Sequence, residues 1–92
     1  MRYALYCLDK TNALELRMAT RERHLAYVAS PPLEIVLAGP LLADDGSMRG
    51  SLFIVEADSI DAVQRFSEGD PYRAAGLFER VEIHGFRQVV PR

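Results

Sequence analysis

Strand-like and helix-like apolar patterns follow one another along this chain in the order β-α-β-β-α-β, and that order restricts the fold more than any other feature. Arg2 to Leu8 alternates, with Tyr3, Leu5 and Cys7 on one face and Ala4, Tyr6 and Leu8 on the other. Asp9 to Asn12 is a polar turn that supplies capping side chains for a helix. From Ala13 to about Ala29, Leu14, Met18, Leu25 and Val28 recur at helical spacing, with Arg21 continuing the row. Ser30-Pro31-Pro32 ends that helix, because proline rings exclude further turns. Leu33 to Leu42 reads as a second strand, apolar on both faces, and the hairpin turn Ala43 to Ser47 leads into a third, Gly50 to Glu56. Ser59 is placed to cap a second helix with the stripe Ile60, Val63 and Phe66, and Gly69 is expected to close it in the left-handed conformation. Asp70 and Pro71 open a short helical turn through Ala75 that ends at Gly76. Leu77 to Val90 forms the last strand, where Val81 and Ile83 alternate with Arg80, Glu82 and His84, and Gly85 marks a bulge.

This order is the split βαβ pattern of an α+β, ferredoxin-like plait: a four-stranded antiparallel sheet with both helices on one face. The first two strands are apolar on both faces, so the face without helices needs a partner. Sheet packed on sheet in a two-fold homodimer, a dimeric α/β-barrel-type assembly, satisfies it. The 92 residues make a single domain spanning 1–92, with no room for a second core. Hydrophobic residues at 49% and charged residues at 26% fit a globular chain. The net charge of −2 comes without any run of like charges, and Arg49, Arg65 and Arg73 are scattered with no aromatic platform among them. Nucleic acid is therefore not an expected partner. No apolar stretch approaches the roughly 20 residues that span a bilayer, so no membrane partner is expected either. The N-terminal segment stops too soon for a signal peptide, and the lone Cys7 forms no internal disulfide; a cytoplasmic location follows.

Two polar residues far apart in sequence carry the candidate chemistry. His24 lies within the first helix beside the apolar row, and Asp70 lies in Gly69-Asp70-Pro71-Tyr72. An imidazole oriented by a carboxylate is a positioned general base, and an ordinary imidazole is neutral near pH 7. Each residue also has a plain structural role open to it. His24 fits a boundary histidine bonded to backbone, and Asp70 is an N-cap for Pro71 to Ala75. Asp70 can serve both roles, one oxygen accepting from a backbone amide while the other faces the imidazole.

Several short elements, taken in order and spacing, resemble the YciI-like (YCII-related) family. They are Arg21-Glu22-Arg23-His24-Leu25, Gly39-Pro40-Leu41, Gly46, Glu56-Ala57-Asp58-Ser59, and Gly69-Asp70-Pro71-Tyr72 with Ala75-Gly76-Leu77-Phe78. The likeness runs from Tyr3 to about Phe86. It implies a dimeric ferredoxin-like protein with an active-site pocket holding a His-Asp pair, which falls on His24 and Asp70. Relatives of the family include a dehydrochlorinase of chlorinated aromatic breakdown, and the wider superfamily holds muconolactone isomerases and cofactor-free oxygenases.

Around this pair, Arg21, Ser51, Tyr72 and Arg73 are candidate substrate-binding residues. Arg21 sits one turn before His24, where it can hold a substrate carboxylate or pair with Glu22 or Asp70. Ser51 opens the third strand beside Gly50, a place from which a hydroxyl can donate to substrate. Tyr72 and Arg73 either line the pocket, Arg73 gripping an anion, or form a solvated surface pair. Cys7, in a strand buried on both faces, reads as an inert small hydrophobe. No cysteine pair or two-histidine helix motif suggests a metal, and no Gly-rich loop suggests a nucleotide. The sequence points to a cofactor-independent lyase or isomerase in which His24 moves a proton on a small anionic or enolisable metabolite. The alternative is a non-catalytic module of the same fold that binds a small ligand or dimerises.

Overall fold

Alternation along the first strand runs one residue further than Leu8. In the computed structural model, which describes residues 1–91, β1 spans Arg2–Asp9 and buries Tyr3, Leu5, Cys7 and Asp9 on one face. Next come α1 (Leu14–Ala29), β2 (Glu34–Leu42), β3 (Met48–Glu56), α2 (Ile60–Gly69), the short α3 (Pro71–Ala74) and β4 (Phe78–Phe86). The four strands form one antiparallel sheet in the order β2-β3-β1-β4. This is the α+β, ferredoxin-like β-α-β-β-α-β plait that the apolar patterns predict.

Register decides which side chains meet. Leu5 lies opposite Phe53 on β3 and Ile83 on β4, and Cys7 lies opposite Ser51 and Val81. Tyr3, Leu5, Cys7, Phe53 and Val55 therefore share one face, where they pack with Val63 and Phe66 of α2 and with Tyr27 and Val28 of α1. The pleat sends Ala4, Tyr6 and Leu8 to the opposite face, together with Leu52 and Ile54 of β3. Leu37 of β2 pairs with Ile54 there and is more than half exposed. Among the described residues, no helix is long and apolar enough to cross a membrane.

The structure corrects several expectations. The row Leu14, Met18 and Leu25 does not face the core; these residues are 43%, 51% and 44% exposed. Instead α1 turns Ala13, Arg17, Thr20 and His24 inward, the same helical spacing displaced by about one residue. Polar side chains tolerate that burial only when each is bonded. Thr20 donates to the Leu16 carbonyl at 2.9 Å, while Arg17 and His24 find carboxylates. Asp9 is no capping residue: it ends β1 and binds Arg17, and α1 begins after Ala13 without a side-chain cap. Ser59 does cap α2, accepting from the Ala62 amide at 3.2 Å.

Gly69 is not left-handed, and the residue after α2, Asp70, is extended. The physical reason for a glycine at position 69 is space: a Cβ there would lie 2.6 Å from the Tyr27 hydroxyl oxygen, which donates to the Phe66 carbonyl. Left-handed backbone falls on Gly76 instead, with φ of 76°, closing the turn after α3. The sheet irregularity expected at Gly85 lies between Leu8 and Asp9, and Gly85 pairs in register with Tyr3. The last strand ends at Phe86 rather than Val90.

Candidate active site

Asp70 links α2 to α3, and its extended backbone suits an N-cap. Its Oδ1 accepts the Tyr72 amide at 2.9 Å, which fixes the carboxylate against the start of α3. The same oxygen, not the second one, also meets His24 Nδ1 at 2.9 Å. Both side chains are nearly enclosed, at 11% and 3% exposure. Because an ionised carboxylate only accepts, Nδ1 donates, and Nε2 of the neutral ring carries the lone pair. Nε2 has no protein partner among the described residues and is not sealed from solvent. Aromatic neighbours hold the ring in place: Tyr72 stacks on it with centroids 4.1 Å apart and planes 16° from parallel, and Phe53 meets it edge-on at 6.1 Å.

One helical turn pair earlier on the same face, Arg17 builds the floor of the site. Its Nε donates to Asp9 Oδ2 at 2.7 Å and its Nη2 to Asp9 Oδ1 at 2.9 Å, a two-pronged ion pair with Arg17 only 2% exposed. Nη2 also donates to the Ser51 hydroxyl oxygen at 2.9 Å. The guanidinium carbon lies 4.5 Å from the centroid of the Tyr72 ring. Burial opposes the charge on Arg17, but the bonds and field of Asp9 outweigh it, and its pKa is raised. Burial pushes the Tyr72 phenol up as well, against the opposing charges of Arg17 and Arg21.

These groups face a cavity of about 190 Å³ whose lining includes Arg17, Arg21, His24, Ser51, Phe53 and Tyr72, with Val28, Ala38 and Pro40 among the apolar walls. Arg21, Ser51 and Tyr72 thus lie beside His24, and Tyr72 is a buried stacking partner rather than half of a surface pair. Arg73 is different: it is exposed, it donates to the Ser67 hydroxyl at 2.9 Å, and it does not line this cavity. Asp70 stands behind the imidazole rather than on the wall. Arg17 and Asp9 are the residues that sequence reasoning missed. Their signal was available, since Asp9 continues the buried phase of β1 and Arg17 precedes His24 by two helical turns.

Cys7 is buried beneath the site, and its thiol is pushed up to about 12, first by burial and then by the charge of Asp70. It stays protonated and is a poor nucleophile at neutral pH. His84 is exposed on β4 and pairs with Glu82 at 3.0 Å. Among the described residues, no group of three or more His, Cys, Asp or Glu side chains is gathered to hold a metal ion.

The YCII-related domain model matches residues 1–87. Protein YciI of Escherichia coli O6:H1 is 36% identical over 97 aligned positions, covering 97% of this chain and 99% of that one. An uncharacterized protein of Haemophilus influenzae is 32% identical over the same coverage. Among solved structures, the 5-chloro-2-hydroxyhydroquinone dehydrochlorinase TftG of Burkholderia phenoliruptrix AC1100, in complex with 2,5-dihydroxybenzoquinone, is 36% identical and superposes with a TM-score of 0.85. That superposition covers 95% of this chain and 94% of TftG. An antibiotic biosynthesis monooxygenase superposes with a TM-score of 0.55 at 9% identity and shares the fold alone. By sequence over almost its whole length, the chain belongs to the YCII-related (YciI-like) domain family.

Proposed function

We propose that this protein is a small cofactor-independent lyase or isomerase in which His24 is the general acid/base and Asp70 its orienting partner. The observation that carries the reading is the 2.9 Å bond from His24 Nδ1 to Asp70, which leaves Nε2 toward the cavity as the basic nitrogen. The reaction class closest to this arrangement is the elimination named for TftG. In such a step His24 Nε2 takes a proton from an acidic position of a small anionic or enolisable substrate. The electrons released form a new double bond, and chloride leaves with the pair from the broken carbon–chlorine bond. No oxidant or reductant enters this balance. Asp70 stabilises the imidazolium that forms, and positioned acid/base help of this kind contributes typically about 10²–10⁴-fold in rate.

The enzyme would act in the cytoplasm as a homodimer. What supports the dimer is the apolar side of the sheet opposite the helices, where Tyr6, Leu8, Leu37 and Leu52 gather. The test is chloride release from 5-chloro-2-hydroxyhydroquinone and related chlorinated hydroxyhydroquinones, followed with an ion-selective electrode. Wild type should release chloride, and a folded His24→Ala protein should lose at least a hundredfold in kcat. Equal turnover by folded His24→Ala sinks the acid/base assignment. Binding of 2,5-dihydroxybenzoquinone without any turnover leaves only the non-catalytic module.

A further inference from the structure

An aromatic ring laid flat on a histidine is ordinary packing while the histidine is neutral, and more than packing once it takes a proton. The face of an aromatic ring is negative, so it attracts a cation stacked on it, and the attraction grows as water is excluded. Tyr72 supplies such a face. It is 1% exposed, and its centroid lies 4.1 Å from that of the His24 imidazole, with the two planes nearly parallel. The ring is held from behind, because Ala13 and Leu77 pack against it and Phe78 meets it edge-on at 6.0 Å. Its backbone amide meanwhile donates to Asp70 Oδ1, the oxygen that also receives His24 Nδ1. One residue thus fixes the carboxylate with its main chain and covers the imidazole with its side chain.

The charges near the ring leave room for a cation on it. Arg17 lies 4.5 Å from the Tyr72 centroid, but Asp9 answers its charge through two hydrogen bonds. Arg21 stands on the cavity wall, and Arg73 is turned outward to Ser67. The strands contribute only uncharged side chains to the cavity, and the Cys7 thiol beneath it stays protonated. Asp70 is the carboxylate bonded to the imidazole. We propose that Tyr72 is a positioning residue for proton transfer: its ring stabilises the His24 imidazolium across the face while Asp70 stabilises it at the Nδ1 edge. The proton itself moves from substrate to Nε2, and Tyr72 neither gives nor takes one, because burial pushes its phenol up and keeps it protonated. This inference rests on His24 being the acid/base, but the contact between ring and charge is read without turnover.

The experiment replaces Tyr72 in the full chain with Phe and with phenylalanines carrying one, two or three ring fluorines, which keep the shape of the ring while draining charge from its face. Tyr72→Phe is the reference, so loss of the hydroxyl is common to the whole series, and melts establish that each protein folds. The chain has two histidines, His24 and His84, whose ring protons are followed by NMR. At about pH 6.5, where an ordinary imidazole is half charged, the ratio of charged to neutral His24 should fall with each fluorine, by about threefold or more at the third. His84, exposed and paired with Glu82, should not respond. For chloride release from 5-chloro-2-hydroxyhydroquinone, kcat should fall in the same order and KM should change less than kcat. Tyr72→Leu, which has no aromatic face, should fall at least as far as the last member on both measures. A flat series in folded proteins overturns the proposal, because a ring that only packs is indifferent to its fluorines; so does a Tyr72→Leu protein that matches Tyr72→Phe. A graded charge ratio without chloride release upholds the contact between ring and imidazolium and defeats the enzyme reading. Turnover that His24→Ala abolishes and the fluorines leave untouched does the reverse.

Discussion

Convergence of two donors on a single Asp70 oxygen allows the cap and the charge of this residue to be separated by mutation. Asp70→Ala removes the acceptor for both the Tyr72 amide and His24 Nδ1. Losing an N-cap costs about 1 kcal/mol, and losing a buried side-chain bond adds about 1 more. For a chain of this size that total of about 2 kcal/mol lowers Tm by roughly 8–16 °C. Asp70→Asn is a different perturbation. With the amide oxygen where Oδ1 now lies, asparagine accepts from both donors and caps about as well as aspartate. Its melt should therefore stay within about 4 °C of wild type, well under 1 kcal/mol. What it lacks is the negative charge that steadies the imidazolium, a difference of roughly 1–1.5 kcal/mol between charged and neutral hydrogen bonds. That converts to about a tenfold fall in kcat. Thermal melts and single-substrate kinetics on the two variants give both numbers. If Asp70→Asn melts as low as Asp70→Ala, the shared-oxygen geometry is wrong. If it melts and turns over like wild type while His24→Ala is dead, Asp70 is a cap and nothing more.

Other expectations follow from single features. Gly69→Ala should destabilise by about 1–3 kcal/mol despite the better helix propensity of alanine, because its methyl meets the Tyr27 hydroxyl; adding Tyr27→Phe should recover part of the loss in a melt, which a left-handed cap would not allow. Cys7 has its thiol raised from 9.0 to about 12, so the folded state favours the neutral form. Its contribution is intact below pH 9 and is lost as the unfolded thiol ionises above it, by about 1.4 kcal/mol at pH 10. Cys7→Ala should therefore lose less stability than wild type between pH 8 and pH 10 in denaturant titrations, and parallel curves would contradict the burial effect. Sedimentation at micromolar concentration should give twice the chain mass, and a stable monomer there would remove the sheet-on-sheet dimer.

The strands and their order were legible because short apolar runs and helix-spaced apolar rows follow one another between turn residues, and Ser59 and Asp70 announced their caps through local chemistry. The facing of α1 was not legible from its leucines and methionines. Hydrophobicity predicts a buried face only when the sheet beneath the helix asks for apolar contact, and here β1 ends in Asp9 and β3 carries Ser51 beneath it. The inward face is then chosen by pairing: Arg17 with Asp9, His24 with Asp70, and Thr20 with its own helix backbone. Contact between His24 and Asp70 lay outside any local pattern, since 46 residues separate them, and it entered through the family resemblance. Arg17 was within reach of simpler reasoning. Once His24 is taken to face the sheet, residues seven and four positions earlier must face it too, and an arginine in that phase requires a buried carboxylate. The odd-numbered phase of β1 supplies one at Asp9. A helix that turns polar residues inward at core spacing has therefore placed its site on that face, and the exposure of Leu14 and Met18 is the other half of the same signal.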